Sequence, residues 1–257
     1  MKDDLKKIIE YENANWSKIF SAELKKGGNK KFSSFWWESY YNELVNSVNK
    51  IMLTDGLSTI LEVGSGSGKA TLLLNKKWNK TLLDISPVAL EYAKHIANKF
   101  EVENVNFVEG DIFSMPFKNN NFDFAWNIGV IEHYELDDIK LIIKEMVRVC
   151  NKSGIVAVGM PNFYSGPVLK ARLLKLLKFI PGYKLDTEKF YKISKIENIF
   201  KEVSRESGKK IKYLEAKYFG NPLIMETPRF ILKMIGESIS RLFKKNKFLI
   251  LIICKFE

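Results

Sequence analysis

One short stretch of the chain, Leu61 to Gly68, alternates glycine with other small residues in the pattern Glu-x-Gly-x-Gly-x-Gly. The residues before it favour a strand, and those after it favour a helix. Glycine lets the backbone turn tightly and lets a ligand approach without a Cβ in the way. The first N–H groups of a helix are free, and the positive end of its dipole attracts anionic groups. The stretch therefore predicts a ligand-binding turn.

The spacing of these glycines argues against two common nucleotide sites. A dinucleotide-binding turn would need its third glycine at position 69, which is lysine. A phosphate-binding loop would need a hydroxyl side chain after Gly68-Lys69, and Ala70 stands there instead. A nicotinamide-dependent oxidoreductase is thus the least favoured interpretation.

Acidic residues follow two further predicted strands. Asp84 stands twenty residues after Gly64, at the end of the second strand, where a carboxylate can accept both hydroxyls of a ribose. Asp111 follows the third strand within Glu109–Ile112. Because parallel strands end at the same edge of a sheet, these acids are expected to lie near the glycine turn.

A histidine follows the fourth predicted strand, in the pair Glu132-His133. Histidine titrates near neutral pH, so His133, with Glu132, is the candidate proton acceptor at this edge of the sheet. The alternative is that the pair positions the following helix and shapes the pocket.

Strands that alternate with helices must position these residues, which predicts a parallel, doubly wound α/β sheet. The predicted strands are Thr59–Val63, Thr81–Ile85, Val105–Glu109, Phe122–Asn127, Gly154–Met160, Ile211–Phe219 and Phe248–Phe256. The predicted helices among them are Lys69–Lys77, Pro87–Phe100, Leu136–Val149, Val168–Ile180, Ser194–Ser207 and Arg229–Phe243.

The pattern divides the chain into four segments. Residues 1–56 hold two predicted amphipathic helices and are expected to form a cap. Residues 57–162 form the ligand-binding core, and residues 163–193 form a basic helical insertion that extends the cap. Residues 194–257 complete the core, and their segment 221–243 is expected to join the cap.

In these motifs the chain resembles the class I S-adenosylmethionine-dependent methyltransferases of the small-molecule type. The matching signatures are the turn 64–68, Asp84-Ile85-Ser86, Gly110-Asp111 and Glu132-His133, all within Leu57–Asn162. The resemblance implies a Rossmann-like sheet of seven strands, parallel except for one antiparallel C-terminal strand. It implies S-adenosylmethionine as the cofactor, and the chain lacks a carboxylate cluster of the kind that would hold magnesium.

The resemblance also implies which residues hold the cofactor. Glu62 and the glycine turn would hold its methionine portion, Asp84 would take the ribose hydroxyls, and Asp111 would meet the adenine amino group. Ile85 would cover the adenine. The implied set is Glu62, Gly64, Ser65, Gly66, Gly68, Asp84, Ile85, Asp111, Ile112, Asn127, Ile128 and Trp36.

Aromatic side chains are further candidates, because a ring face attracts a sulfonium cation by about 0.5–2 kcal/mol. One or two of them from the N-terminal helices are expected to cover the cofactor, while the others pack. The candidates are Trp16, Phe20, Trp36, Trp37, Tyr41, Trp126 and Tyr134.

The 257 residues carry a formal net charge of +11. Residues 1–162 include 20 basic and 21 acidic residues, whereas residues 163–257 include 21 basic and 9 acidic residues. This excess predicts an anionic small-molecule or peptide acceptor. An RNA-directed enzyme is the alternative, ranked lower because only five of the 41 cations are arginine. Peripheral binding to anionic lipid is a third interpretation, although an apolar stripe such as Leu169 to Ile180 is expected to pack in the core.

Composition and absent motifs narrow the remaining classes. The chain is 46% hydrophobic and is therefore not disordered. Its first residues are charged, and it contains no apolar run long enough to span a membrane. A cytoplasmic protein is therefore expected. Asn127-Ile128-Gly129-Val130 departs from the Pro-Pro-Tyr motif of amino methylation on nucleobases. The methyl acceptor and the oligomeric state stay open.

Overall fold

The computed structural model describes residues 3–25, 35–176, 187–223 and 229–257, and this part of the chain contains seven strands, eight α-helices and two short 3-10 helices. Side chains are described for residues 5–25, 40–175, 187–223 and 230–257. The helices are α1 Asp3–Lys25, α2 Phe35–Thr54, α3 Lys69–Leu72, α4 Pro87–Lys99, α5 Leu136–Val149, α6 Gly166–Leu176, α7 Ile193–Ser207 and α8 Arg229–Leu242. The strands are β1 Thr59–Val63, β2 Asn79–Asp84, β3 Val105–Glu109, β4 Phe122–Ile128, β5 Cys150–Pro161, β6 Ile211–Phe219 and β7 Leu249–Phe256.

The strands form one sheet in the order β3-β2-β1-β4-β5-β7-β6. Strand β7 runs antiparallel to both of its neighbours, β5 and β6, and the other strands are parallel to one another. The predicted fold is confirmed. The strand order reverses between β1 and β4, and ligands of open α/β sheets bind at the carboxyl ends of the strands around such a point.

Helices cover both faces of this sheet, which explains why its central strands are apolar along their whole length. Every residue of β7 is buried. One face packs against α5 and α7, and the other packs against α2. Helix α1 reaches the sheet edge through Phe20, which joins the apolar cluster of α4. The division of the chain at residues 56, 162 and 193 stays a prediction.

The helix predicted over Lys69–Lys77 is wrong in length, since α3 ends at Leu72. Asn75 accounts for the difference, because its Oδ1 accepts a hydrogen bond from the Lys77 N–H at 3.0 Å. An asparagine side chain that bonds the backbone two residues ahead competes with helical hydrogen bonding. Strand β5 also begins four residues earlier than predicted, at Cys150.

The apolar stripe of the basic insertion does not pack as predicted. In α6, Val168 and Ala171 are buried, whereas Leu169 is 46% exposed and Leu173 is 54% exposed. The expectation that this stripe lies in the core is therefore wrong for the described part of the helix. The remaining predicted helical residues, 177–180, lie outside the described residues.

Asp123 fastens the start of β4 to the start of β1. Its Oδ2 accepts hydrogen bonds from the N–H groups of Ser58 and Thr59 at 3.0 and 2.9 Å, and its Oδ1 accepts one from Asn151 Nδ2 at 2.7 Å. Burial opposes the charged form, but these donors outweigh it and hold the pKa of Asp123 below its usual value. The residue lies at the opposite end of the strands from the glycine turn.

Replacing Asp123 by alanine is expected to lower the free energy of unfolding by about 2–3 kcal/mol, because hydrogen bonds to a charged group are lost. Urea unfolding at neutral pH measures this. The lowered pKa means that the stabilisation is present above the unfolded-state value of 3.8 and is lost as the pH falls. An equal difference between variant and wild type at neutral and strongly acidic pH would contradict the assignment.

Candidate active site

The glycine turn joins the end of β1 to the start of α3. Gly64, Gly66 and Gly68 have φ angles of +67°, +50° and +61°, which side chains other than glycine rarely adopt. A Cβ on Gly64 would lie 2.9 Å from Val130 Cγ2, and one on Gly66 would lie 3.2 Å from Phe20 Cζ. Glycine is therefore required both by the backbone conformation and by the space above the turn.

Asp84 ends β2 directly beside this turn. Its Oδ2 accepts a hydrogen bond from the Gly66 N–H at 2.7 Å, and its Oδ1 accepts one from the Ser86 N–H at 2.9 Å. Burial raises the pKa of Asp84, while these two donors oppose the shift. The carboxylate is thus fixed in orientation, and each oxygen keeps acceptor capacity for a ligand.

Glu62 lies within β1, two residues before Gly64, and is only 4% exposed. Burial raises its pKa to about 7, although hydrogen bonds from Thr71 oppose the shift. Its Oε2 has no hydrogen-bond partner in the described part of the chain, and the same is true of Ser65 Oγ and Asn127 Oδ1. Leaving a buried polar group unpaired costs about 1–3 kcal/mol, so a cluster of such groups on neighbouring strands indicates a ligand that pairs with them.

A cavity of about 450 Å³ opens at this edge of the sheet. Most of the predicted site residues line it: Gly64, Ser65, Gly66, Asp84, Ile85, Asp111, Ile112, Ile128 and His133. Four others are described but are not among the lining residues: Glu62, Gly68, Asn127 and Glu132. The side chain of Trp36 lies outside the described residues.

Aromatic side chains form much of the cavity wall. Trp16, Phe20, Tyr41 and Tyr134 line it. Trp16 and Phe20 stack with ring centroids 5.8 Å apart. Trp126 does not line the cavity: it is fully buried, and its Nε1 donates to Thr71 Oγ1 at 2.8 Å. Helices α1 and α2 therefore supply the aromatic cover, while the remaining candidate Trp37 lies outside the described side chains.

The charge of the cavity differs from the charge of the chain. Glu12, Glu23, Asp84 and Asp111 line it, and no lysine or arginine is found among its described lining residues. The basic segments predicted to face the acceptor contribute none of those residues. The charge excess therefore gives no support to an anionic acceptor, and the acidic wall favours neutral or cationic ligands.

His133 meets helix α1 and the segment before α7 inside the cavity. Its Nδ1 lies 2.8 Å from Thr187 Oγ1 and 3.4 Å from Glu12 Oε1, the second being an ion-pair contact rather than a short hydrogen bond. Burial alone would lower the pKa of His133, but the carboxylates of Glu12 and Glu132 outweigh it and raise the pKa above 6.5. The structure gives Nε2 no partner among the described residues.

Sequence reasoning missed Glu12, which the structure places beside His133. Glu12 also accepts a hydrogen bond from Trp16 Nε1 at 3.2 Å, one helical turn further along α1. The signal in the sequence that could have pointed to Glu12 is its spacing of four residues from Trp16, which places both side chains on one face of α1. Nothing in the sequence indicated that this face of α1 lies over the carboxyl end of β4.

Glu132 is buried beside His133 without lining the cavity. Burial raises the pKa of its carboxyl to about 7, with the positive charge of His133 opposing the shift. Its backbone oxygen accepts a hydrogen bond from the Lys189 N–H at 2.6 Å. Glu132 thus tethers the segment before α7 through its backbone and acts on His133 through its charge.

Comparison with known proteins identifies the class. A family model described as a methyltransferase domain matches residues 54–218. The chain therefore belongs to the methyltransferase-domain family, and its sheet is the one found in class I S-adenosylmethionine-dependent methyltransferases. Two relatives are similar over part of their length. A 2-methyl-6-phytyl-1,4-hydroquinone methyltransferase of Oryza sativa subsp. japonica is 34% identical over 105 residues, which are 40% of this chain and 30% of the relative.

The second relative is a demethylmenaquinone methyltransferase of Staphylococcus aureus, 32% identical over 124 residues, or 47% of this chain and 50% of the relative. The chain thus spans half the length of these curated relatives or less. Among solved structures, the magnesium protoporphyrin IX methyltransferase of Synechocystis PCC 6803 with bound SAH has a TM-score of 0.63 at 14% identity, covering 97% of this chain and 100% of that one. The PH0226 protein of Pyrococcus horikoshii OT3 has a TM-score of 0.58 at 18% identity, covering 89% and 94%. At these identities the likeness shows the fold.

The residues present fit S-adenosylmethionine. The glycine turn leaves no Cβ between backbone and ligand, and Asp84 keeps acceptor capacity beside it. The unpaired Glu62 Oε2 can accept from an ammonium group, and an acidic cavity suits a cofactor that carries a sulfonium. No group of three or more His, Cys, Asp or Glu that could hold a metal ion is found in the described ranges.

Proposed function

We propose that this chain transfers the methyl group of S-adenosylmethionine to an oxygen or nitrogen of a small, neutral and largely apolar acceptor. The observation that carries the proposal is His133, which lines the cavity with Nδ1 held by Glu12 and Thr187. The acceptor would lie between α1 and the turn that contains His133. Glu62, the glycine turn and Asp84 would hold the cofactor.

When bound, S-adenosylmethionine supplies an electrophilic methyl group, whose bond to sulfur breaks as its bond to the acceptor forms. In-line displacement of this kind gains most from positioning and from exclusion of water. The rings of Trp16 and Tyr134 provide apolar walls for both purposes, and a ring face near the sulfonium adds cation–π attraction. The four cavity carboxylates favour a cation in the cavity.

His133 would take the proton that the acceptor loses. With Nδ1 protonated and facing Glu12, Nε2 is the nitrogen left to accept it. Glu12 then stabilises the charged imidazolium that results. This arrangement repeats the logic of a carboxylate that orients a catalytic histidine. Glu12 is accordingly a positioning residue, and His133 is the proposed catalytic residue.

The class of acceptor rests on the cavity wall. Its described lining residues include many aromatic side chains and no cation, so an apolar ring system is a better match than a phosphate or carboxylate. The two relatives are named for a phytylated hydroquinone and for demethylmenaquinone, which are also apolar rings that carry oxygen. Hydroquinones and phenols are therefore the first acceptors to assay.

Calorimetry with S-adenosylhomocysteine and with NAD tests the cofactor, and transfer of a labelled methyl group to a panel of phenols, amines and carboxylates tests the acceptor. We expect binding of S-adenosylhomocysteine alone and transfer to neutral phenols or amines. Preferred methylation of carboxylates or of phosphate-bearing acceptors would contradict the acceptor class while leaving the cofactor assignment intact.

The rate should depend on pH through His133. Its pKa is raised above the usual value, so at a given pH more of the molecules carry a protonated His133, which accepts no proton from the acceptor. We expect kcat to rise with pH through a value above 6.5 and then to level off. Glu12→Gln should move this limb to lower pH, because Glu12 raises the pKa of His133. A profile that Glu12→Gln leaves in place would contradict the coupling.

A further inference from the structure

Two helices outside the cavity carry large apolar side chains into solvent. Both follow parallel strands of the core, α6 after β5 and α8 after β6. We call this set the α6/α8 surface. Its exposed members are Leu169, Leu173, Phe230, Met234, Ile235, Leu242 and Phe243, with exposed fractions from 44% to 80%.

Helix α8 contacts the body of the protein through one side, on which Leu232 and Gly236 are buried. Asn221 Nδ2 donates to Gly236 O at 2.9 Å and lies 3.1 Å from Ser240 Oγ. Met234 and Leu242, by contrast, are 80% and 78% exposed. A helix of a soluble protein normally buries its apolar stripe. The large apolar side chains of α8 that lie away from this contact are therefore left for something outside the described fold.

The two helices lie at one edge of the sheet. The Gly166 N–H, at the start of α6, donates to Pro222 O at 2.8 Å. Asn246 Nδ2, just after α8, donates to Tyr164 O at 3.1 Å. The same edge carries the cavity, because Phe248 lines it and accepts a hydrogen bond at its backbone oxygen from the Asn162 N–H at 2.7 Å. The surface and the active site are thus neighbours.

Cations accompany the apolar side chains. Residues 166–176 and 229–247 together contain nine lysines and arginines and one acidic residue, Glu237. Of these cations, Lys247 is paired with Glu43 and Arg241 with Glu237. A partner must therefore accept both apolar side chains and the remaining positive charge. An anionic bilayer does both, since apolar side chains enter the acyl boundary and cations meet the phosphates. RNA would account for the cations, but its phosphate-lined surface offers no extended apolar layer for this many exposed apolar side chains.

We propose that the α6/α8 surface docks the protein on anionic membrane lipid. Docking is peripheral, because none of the described helices is both long and apolar enough to span a bilayer. The bilayer would lie against the sheet edge that carries the cavity, where an apolar acceptor could enter from the lipid phase. The docking itself does not depend on which acceptor is methylated.

The test is co-sedimentation of the full chain with vesicles of phosphatidylglycerol mixed with phosphatidylcholine, and with vesicles of phosphatidylcholine alone. We expect binding to the anionic vesicles. The double variant Met234→Ser/Leu242→Ser should weaken it at least about ten-fold, as two apolar side chains no longer insert. Each of Lys244→Gln and Lys245→Gln should weaken it about five-fold, the effect of one cation near an anionic surface.

The matched control is Leu53→Ser/Leu141→Ser, which removes two leucines of similar exposure, 64% and 50%, outside the α6/α8 surface. It should leave vesicle binding unchanged. Unaltered affinity for S-adenosylhomocysteine shows that each variant is folded.

Three results would overturn the proposal. The first is no sedimentation with anionic vesicles, and the second is equal loss of binding in the control variant. The third is evidence for a partner other than lipid. One form of it is a dimer of this chain that the double variant Met234→Ser/Leu242→Ser dissociates. The other is the absence of vesicle binding together with RNA binding, seen in a gel shift, that the double variant does not weaken.

Discussion

Glu62→Gln is expected to weaken binding of S-adenosylhomocysteine about ten- to one-hundred-fold, the effect of a lost hydrogen bond to a charged group. The same substitution should stabilise the ligand-free protein at pH 8. Glu62 is 4% exposed, its Oε2 has no partner in the described chain, and its pKa is about 7. A buried carboxylate that awaits a ligand's ammonium group explains both effects.

The sign of the stability change follows from the raised pKa. The folded state holds the proton of Glu62 more tightly than the unfolded state, whose value is 4.5. The contribution to stability is therefore fully present below 4.5 and is lost as the pH rises through about 7. Above that pH the folded protein buries a charge, at a cost on the order of 3 kcal/mol. Glutamine removes that charge.

Calorimetry with S-adenosylhomocysteine and thermal unfolding at pH 5 and pH 8 measure the two effects. Asp123→Asn is the matched control, since it alters a half-buried carboxylate far from the turn and should lower stability without altering affinity. If Glu62→Gln kept full affinity, Glu62 would be a structural residue, and the assignment of the ammonium site would fail.

His133→Ala should reduce kcat by about 100- to 10,000-fold, the usual contribution of a positioned proton acceptor, with unchanged affinity for S-adenosylhomocysteine. Glu12→Gln should reduce kcat less, because it removes the group that orients and charges His133 but leaves the imidazole in place. The substitution of the other histidine, His95→Ala, is the control, since that residue is exposed on α4.

Steady-state kinetics with a saturating phenolic acceptor distinguish two roles for His133. If His133→Ala raised KM for the acceptor and left kcat unchanged, His133 would position the acceptor and take no proton. A loss in kcat that added imidazole restores in His133→Ala supports proton transfer. Unchanged kinetics in that variant would remove His133 from the mechanism.

Much of the site could be predicted because it depends on local sequence and on the handedness of the fold. The glycines at 64, 66 and 68 could be predicted from the turn between a strand and a helix. Asp84 and Asp111 could be predicted from their positions at the ends of the next two strands. Right-handed crossovers then bring all of these ends to one edge of the sheet. Short-range patterns, together with the family resemblance that they carry, therefore indicated nine residues that line the cavity.

Only the tertiary structure shows where the amphipathic helices lie, because the sequence pattern of a helix does not specify the surface against which it packs. An amphipathic helix such as α1 can lie on any apolar surface, so the sequence could not place Glu12 against His133. Periodicity likewise marked an apolar side on α6 and α8 without showing which way it faces. The net charge of +11 pointed to the acceptor, yet the described cavity wall is acidic and the cations lie on the outer helices.

The sequence by itself determined the class of fold and the edge of the sheet that binds the cofactor. The succession of strands and helices along the chain and the residues of the turns are local features, and the right-handed crossovers then fix which strand ends meet. The surroundings of the acceptor were decided by long-range packing, in which the same helix gains or loses free energy according to the surface it meets. For this reason only the folded structure shows that Glu12 lies beside His133 and that the excess cations lie on the outer helices α6 and α8.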